Sequence, residues 1–370
     1  MREVSLFDAR EYRGRLAAEI PAGFAARLSP HERRRLSRSD QIAVLAAQEA
    51  LADAGMPHAG IAPDRIGVVL GAGTADLIRN EEYYASVLER GLDRARPSRV
   101  FNHFPSTSAD AIGAKFGLRG LRATMVSACS SSTVAIGHAA AAIACRQLDA
   151  ALCGGSDALS RLTLSGFNAL RLVDPDPCRP FDVERNGMNL GEASGILFIE
   201  EMSQARRRGA PIYAELVGYG LTCEAHHPTA PEPEGLALAQ TVTAALRAAS
   251  VAADEVDHVN AHGTATRQND IAEAQGLQRV FGERARRIPV TSIKSMVGHC
   301  LGAAGAIEAA VMALTIARGA IPPTIHHTRT DPACPLDVVA NTAREVRVRC
   351  GVSLSLAFGG NNAALVMRAV

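Results

Sequence analysis

The amino-acid sequence predicts a layered α/β protein built from two similar halves. Short apolar runs that end near glycine alternate with helical patterns through most of the 370 residues. The same alternation starts again after residue 212. A basic turn, ARRRGAP, separates the two series, and we place the boundary there, which gives halves of residues 1–208 and 209–370. Strands that alternate with helices favour sheets covered by helices and joined by right-handed crossovers.

In the first half, helical patterns alternate with apolar strand patterns. Gly55 stops the amphipathic segment before it. The predicted helices cover residues 41–54, 75–88, 101–116, 134–145, 162–172 and 203–209. The predicted strands cover residues 65–74, 124–126, 149–156 and 195–201.

The second half repeats this order and closes with three strand patterns. Its predicted helices cover residues 235–249, 269–281 and 302–318. Its predicted strands cover residues 213–219, 256–261, 289–293, 343–348, 351–356 and 363–367.

Composition excludes several classes of function. The chain has 39 basic and 38 acidic residues, a balance that gives no basic excess for a nucleic-acid or membrane surface. We see no apolar run close to the ~20 residues of a membrane span and no apolar signal region at the N-terminus, so a cytoplasmic protein is expected. The eight cysteines contain no CxxC pair, which favours reduced thiols and argues against a zinc site.

Four polar clusters flanked by glycine stand out, and each follows a predicted strand. That is where α/β folds place their sites. The clusters are Ser127–Ser132, Asn260–Thr266, Ser292–Gly305 and Ala357–Asn362.

Cys129 lies in the first cluster, at a junction from strand to helix. The free N–H groups and the dipole of a helix N-terminus favour negative charge, so a thiol there should lose its proton more easily and act as a nucleophile. The alternative is that Cys129 is a small buried apolar residue, as many free cysteines are.

His262 and His299 each stand next to a glycine, with no carboxylate beside them in the sequence. One cysteine and two histidines suggest covalent thioester chemistry, with both imidazoles near an oxyanion. Each histidine could instead be a surface or structural residue. Lys294 follows a predicted buried strand, and it is either buried and hydrogen-bonded or an ordinary surface lysine.

Six ordered motifs carry a family resemblance: SACSSS, GGSDA, RPFDVERNGMNLGEASG, NAHGTATRQND, SIKSMVGHCLGAAGAIEA and FGGNNA. They resemble the β-ketoacyl-[acyl carrier protein] synthases of the elongating Cys-His-His type, from about residue 4 to the end. The resemblance implies the thiolase-like fold, in which two duplicated α/β halves form five layers. It also implies a homodimer or a ketosynthase heterodimer.

The resemblance implies a role for each residue of the reactive centre. Cys129 would be the acylated nucleophile of an acyltransferase that joins an acyl group to malonyl-[acyl carrier protein] with loss of CO₂. His262 and His299 would promote the decarboxylation and stabilise the enolate. Lys294 would hold the histidine network and pair with Glu308.

Further residues would contact the substrate. By the same resemblance, Thr264 and Thr266 would contact the pantetheine arm of the carrier protein. The backbone N–H groups of Cys129 and Phe358 would form an oxyanion hole, and Phe358 would gate the acyl pocket. His227 could line the channel, and Ser108 could make the acyl pocket wider or more polar. No metal or redox cofactor is expected, because the acyl groups are carried on phosphopantetheine.

The chain departs from the family at its start. A strand of the type VVVTG and a following helix are absent, and we expect the missing strand to be central in the N-terminal sheet. Two other functions remain open. A non-catalytic chain-length-factor subunit would usually lack the cysteine, and a thiolase would use coenzyme A and a second catalytic cysteine.

Overall fold

The structure is a computed structural model that describes residues 1–56, 60–95, 100 and 102–370. Phe101, the first residue of the helix predicted at 101–116, lies outside the described residues. The α-helices of the described chain are α1 (Pro30–Arg35), α2 (Arg38–Asp53), α3 (Ile78–Arg90), α4 (Thr107–Phe116), α5 (Ser131–Ala144), α6 (Arg161–Ala169), α7 (Met202–Arg207), α8 (Leu236–Ala249), α9 (Arg267–Phe281), α10 (Lys294–Val297) and α11 (Ala304–Arg318).

The strands of the described chain are β1 (Arg2–Glu3), β2 (Leu16–Ala18), β3 (Ile66–Gly71), β4 (Arg122–Met125), β5 (Ala150–Asp157), β6 (Leu190–Gly191), β7 (Ala193–Glu200), β8 (Glu215–Cys223), β9 (His258–Asn260), β10 (Pro289–Thr291), β11 (Ala320–Ile321), β12 (Asp337–Val338), β13 (Arg344–Glu345), β14 (Cys350–Ser355) and β15 (Asn361–Arg368). Ten of the described strands overlap predicted ones, whereas the short strands β1, β2, β6, β11 and β12 were not predicted.

Two large sheets carry the duplication. The first has the strand order β4-β3-β5-β7, with β7 antiparallel to its neighbour. The second has the order β12-β10-β9-β14-β15-β8, with β15 antiparallel to both of its neighbours. The run β10-β9-β14-β15 therefore repeats the pattern of the first sheet, and β8 is an additional strand at the edge next to β15.

Five layers are stacked in the order helix, sheet, helix, sheet, helix. Helices α2 and α4 cover the outer face of the first sheet, α5 and α11 fill the space between the sheets, and α8 covers the outer face of the second sheet beside α9. One hydrophobic core includes residues of both halves, such as Ile136 and Met312. The predicted thiolase-like architecture is confirmed.

The two central helices approach each other closely because small residues face the contact. A Cβ atom added to Gly305 of α11 would lie 1.9 Å from Oγ1 of Thr133 on α5, so only glycine fits there. In the described chain, the segment Leu301–Arg318 is long and apolar enough to cross a membrane by length and composition, which corrects the expectation that no apolar run comes close to a membrane span. Its apolar surface is explained by its place between the two sheets, where 61% of the segment is buried.

The structure corrects two predictions about strands. The strand predicted at 343–348 is reduced to the two residues of β13, which pairs with β11 outside both large sheets. The missing family strand does not leave a gap in the centre of the first sheet, because the four strands are contiguous. By comparison with the second sheet, the described residues place no strand at the edge beside β7.

Candidate active site

Cys129 projects from a strained turn between β4 and α5. The preceding residue, Ala128, has φ +50°, a left-handed conformation that is costly for a residue with a Cβ atom. A short 3₁₀ turn, Ala128–Ser130, then leads directly into the helix. This geometry places the buried thiol at the carboxyl end of the first sheet.

The two histidines reach the same place from the second half of the chain. His262 follows β9, and His299 follows α10. Both segments contain a strained residue, since Ala265 has φ +64° and Leu301 has φ +52°. Backbone strain that recurs beside the three candidate residues is typical of functional sites.

The structure brings the cysteine and the two histidines together. Sγ of Cys129 lies 3.1 Å from Nε2 of His299. The rings of His262 and His299 meet edge to face, with centroids 5.4 Å apart. All three side chains are buried, and their sulfur and nitrogen atoms lie within 4.8 Å of one another.

Lys294 is buried behind the histidines and is not a surface lysine. It is 1% exposed, and its ammonium group pairs with the carboxylate of Glu308, which is also 1% exposed. The same ammonium donates to the carbonyl oxygen of His262 at 2.5 Å. Burial raises the pKa of Glu308, and the neighbouring ammonium opposes this effect.

The lysine also sets the tautomer of His262. Its Nζ atom lies 3.3 Å from Nδ1 of His262, and an ammonium group can only donate, so Nδ1 is the acceptor. The ring proton of the neutral imidazole is then on Nε2. Burial, Lys294 and His299 hold the pKa of His262 well below 6.5, which keeps the ring neutral.

Burial dominates the acidity of the candidate nucleophile. It raises the pKa of the Cys129 thiol to about 11, and the Lys294 ammonium and the backbone N–H of Phe358 oppose it only in part. The expectation of an easily lost proton is therefore wrong for the resting site.

A neutral thiol needs a base, and His299 is in contact with it. Burial and Lys294 hold the pKa of His299 well below 6.5, so this ring is neutral and can accept a proton.

A thiol and two imidazoles could also hold a metal ion. In the described chain, the ligand atoms of Cys129, His262 and His299 lie close enough together to do so. The surrounding charge argues against a cation. The buried ammonium of Lys294, 3.3 Å from His262, would repel a divalent ion in a region of low dielectric. The donor set fits neutral acid–base chemistry better than metal binding.

A cavity of about 430 Å³ opens above the three residues. Its wall contains both apolar side chains and side chains with hydroxyl or amide groups. Among the residues that line it, Cys129 is the only cysteine. His262 and His299 also line it, and we call these three residues the triad. The other lining residues include Phe167, Leu170, Arg171, Met188, Glu224, His227, Thr264, Thr266, Asn269, Leu356 and Phe358.

Two family models match the chain in the order of its halves. The N-terminal domain of beta-ketoacyl synthase matches residues 12–205, and its C-terminal domain matches residues 213–328. The chain belongs to the β-ketoacyl synthase family. The resemblance carried by the six sequence motifs is thereby confirmed.

Relatives in this family come from two kinds of biosynthesis. The chain is 40% identical to the tetracenomycin polyketide synthase ketoacyl synthase alpha subunit of Streptomyces glaucescens over 99% of its own length and 89% of the relative. It is 37% identical to 3-oxoacyl-[acyl-carrier-protein] synthase 2 of Staphylococcus aureus, over 99% of its length and 93% of the relative. Among solved structures, the ishigamide ketosynthase/chain length factor has a TM-score of 0.95, with 34% identity and coverage of 100% and 91%.

Within this β-ketoacyl synthase site, Phe358 lies beside the nucleophile. Its backbone N–H is within hydrogen-bonding reach of the sulfur, and its ring stacks on Phe167 with centroids 5.6 Å apart. Gly359 follows with φ +79° and donates its N–H to the carbonyl oxygen of Pro228. The placement fits the predicted double role of Phe358, which stays a prediction.

The predicted contacts to the carrier arm also line the cavity. The hydroxyl groups of Thr264 and Thr266 are 2.9 Å apart. His227 is exposed at the mouth, and its Nδ1 atom accepts the N–H groups of Thr229 and Ala230. That ring therefore carries its proton on Nε2 and stabilises its own loop.

Ser108 does not belong to the cavity that the structure describes. It is buried in α4, where its hydroxyl donates to Asp40 of α2 at 2.9 Å. The prediction that it lines the substrate pocket is not supported, because its polar group is used to join two helices on the far side of the first sheet.

Two buried carboxylates were missed by sequence reasoning. Glu273 accepts the N–H groups of His262 and Gly263, and burial raises its pKa to about 7. Asp157 accepts N–H groups from the loop after β3, Gly73 and Thr74 among them, and burial raises its pKa to about 6. Neither stands near a triad residue in the sequence. Asp157 does lie inside the motif GGSDA, and this motif is the one sequence feature that could have pointed to it.

Proposed function

We propose that this chain catalyses the decarboxylative condensation of an acyl group with malonyl-[acyl carrier protein], in fatty-acid or type II polyketide synthesis. The observation that carries the proposal is the contact of 3.1 Å between Sγ of Cys129 and Nε2 of His299, with the rings of His262 and His299 edge to face. The family and the names of its relatives support the substrate class.

In the first half-reaction, the thiol of Cys129 attacks the carbonyl carbon of an acyl thioester. His299 takes the thiol proton and returns it to the departing pantetheine sulfur, so charge balances. The backbone N–H of Phe358, together with that of Cys129, faces the oxygen of the tetrahedral intermediate.

In the second half-reaction, malonyl thioester loses CO₂ and forms an enolate. The Nε2–H group of His262 donates to the thioester oxygen as its charge grows, and His299 shares this role in its other neutral tautomer, with the ring proton on Nε2 instead of Nδ1. The enolate carbon attacks the acyl-cysteine carbonyl, a carbon–carbon bond forms, and the sulfur leaves as a thiolate that takes a proton from water to restore the resting thiol. Loss of CO₂ supplies the carbanion, so no strong base is needed.

The partners and the cellular location are proposed from the same reaction. The proposal includes acyl carrier protein as substrate carrier, no resident metal or redox cofactor, a homodimer or a heterodimer with a chain-length factor, and a cytoplasmic location. The presence of Cys129 argues against a non-catalytic subunit. A thiolase is disfavoured because Cys129 is the only cysteine among the described cavity residues.

The test uses mass spectrometry and CO₂ release on matched variants. Cys129→Ala should form no acyl adduct with acyl carrier protein thioesters, and His262→Ala should form the adduct but release CO₂ far more slowly from malonyl carrier. Cys145→Ser, at an exposed cysteine, is the control and should retain both steps. An intact adduct on Cys129→Ala would refute the proposal.

A further inference from the structure

Asn269 places a buried amide in the wall of the cavity, and no step of the proposed reaction uses it. The residue belongs to the first turn of α9 and lines the cavity. It is 8% exposed, whereas the two preceding residues, Arg267 and Gln268, are exposed. Buried polar groups are almost always hydrogen-bonded, so both ends of this amide need a partner.

Two buried carboxylates fix the orientation of the amide. Nδ2 of Asn269 donates to Oδ1 of Asp270 at 3.1 Å and to Oε2 of Glu273 at 3.4 Å. The reverse orientation would turn Oδ1 of Asn269 toward both carboxylates, and acceptors would then face acceptors. Nδ2 therefore points into the protein, and Oδ1 is the polar atom of the side chain that is left for the cavity.

Oδ1 of Asn269 receives no hydrogen bond from the part of the chain that the structure describes. The atom is not enclosed by protein, so a donor can reach it from the cavity. Glu224, another acceptor in the wall, differs because its oxygens accept N–H groups from Asn362 and Glu232. An open acceptor on a buried side chain favours a ligand that brings its own N–H or O–H group.

The position of Asn269 decides which part of a thioester substrate passes it. Glu273, which holds this amide, also accepts the N–H groups of His262 and Gly263, so the amide lies beside the end of β9. The exposed Arg267 places it on the side of the mouth. A carrier protein is too large to enter a cavity of about 430 Å³, so the part of the substrate nearer the mouth is the arm and not the acyl group.

The phosphopantetheine arm contains two amides, and each amide has one donor and one acceptor. The hydroxyl groups of Thr264 and Thr266 share a hydrogen bond of 2.9 Å, which leaves one of their two protons free for a carbonyl oxygen. Oδ1 of Asn269 is the acceptor that an amide N–H group needs. The wall of the cavity therefore offers partners for both halves of an amide.

We propose that Oδ1 of Asn269 accepts the N–H group of one amide of the phosphopantetheine arm, which makes Asn269 a specificity-determining residue for the carried substrate. This inference rests on the proposed function, because the arm belongs to the substrate of that reaction. A substrate without the N–H group leaves a buried acceptor unpaired, so the site should discriminate against it by about five- to tenfold.

The test compares three acyl thioesters as acylating agents of Cys129, read by intact mass. One is hexanoyl-pantetheine, and in each of the other two an ester replaces one of the amides, which keeps the length and removes the N–H group. The unmodified chain should react about five- to tenfold more slowly with one of these esters. Asn269→Ala should react with hexanoyl-pantetheine at that lower rate and lose nothing further with the same ester. Gln147→Ala, at an exposed amide outside the cavity wall, should behave like the unmodified chain.

A structural role of Asn269 predicts a different pattern. A distorted site would slow all three thioesters alike, so an unchanged ratio of amide to ester rates in Asn269→Ala would overturn the proposal. Equal rates of the unmodified chain with all three thioesters would overturn it without any variant. Methyl methanethiosulfonate, a thiol reagent without an amide, should modify Cys129 equally fast in both chains. Acylation by none of the three thioesters would refute the proposed function itself, and this inference with it.

Discussion

Nζ of Lys294 lies 3.3 Å from Nδ1 of His262, and this contact joins a buried ion pair to the wall of the cavity. The lysine donates to the ring, pairs with Glu308 and contacts the His262 carbonyl oxygen. A single buried ammonium therefore sets both the tautomer of the ring and the position of its backbone.

Replacement of Lys294 by methionine should lower both stability and decarboxylation. Glu308 would remain buried without its partner, and breaking a buried pair typically costs about 3–5 kcal/mol of the free energy of unfolding. His262 would also lose the donor that keeps its proton on Nε2. Denaturant unfolding and CO₂ release from malonyl carrier measure the two effects.

The double variant Lys294→Met with Glu308→Leu separates these effects. Two apolar residues leave no buried charge unpaired, so much of the lost stability should return, while CO₂ release should stay low. Recovery of both would mean that the lysine acts only on folding.

The pH dependence of thiol alkylation tests the acidity of Cys129. Because burial raises the pKa of this thiol to about 11, the thiolate fraction grows with pH through the neutral range. The rate of alkylation by iodoacetamide at Cys129, read by peptide mass mapping, should therefore keep rising from pH 6 to beyond pH 9. A plateau near pH 7 would show an ionised resting thiol and contradict this account.

Glu273 should make the protein less stable as pH rises. Burial raises its pKa from 4.5 to about 7, so the folded state binds this proton more tightly than the unfolded state does. The resulting contribution to stability is complete below about pH 4.5 and is lost as pH rises through about 7, which amounts to roughly 3 kcal/mol.

The variant Glu273→Gln removes this titration. Between pH 5 and pH 8, the free energy of unfolding of the unmodified chain should therefore fall relative to that of the variant. Glu283→Gln, at a side chain that is 88% exposed, provides the control and should follow the unmodified chain. Parallel curves for Glu273→Gln and the unmodified chain would show that Glu273 does not titrate in this range.

Phe358→Ala should change which acyl groups enter the site. The substitution removes the ring that stacks on Phe167 but keeps the backbone N–H that faces the sulfur. Acylation by long or branched acyl thioesters should rise relative to acetyl thioester in competition assays read by mass. Phe104→Ala, at an exposed phenylalanine, should leave the ratio unchanged. An unchanged ratio for Phe358→Ala would exclude the predicted gate.

Local patterns were sufficient for the repeated α/β order and for the candidate nucleophile. Strand and helix periodicity depends on near neighbours, and Cys129, His262 and His299 each stand in a distinctive small-residue motif. Ser108 shows the limit of this reasoning. The family resemblance suggested that it shapes the acyl pocket, but its hydroxyl is bound to Asp40, which is 68 residues away in the sequence.

The sequence by itself determined the duplicated architecture, the family and the three residues that lie together at the cavity. Only the tertiary structure decided how those groups are charged and what supports them. Burial raises the pKa of Cys129 where the helix end alone suggested the reverse, and Glu273 reaches the backbone of His262 from the next helix. Charge state and burial depend on atoms brought together from distant parts of the chain, and no local pattern records them.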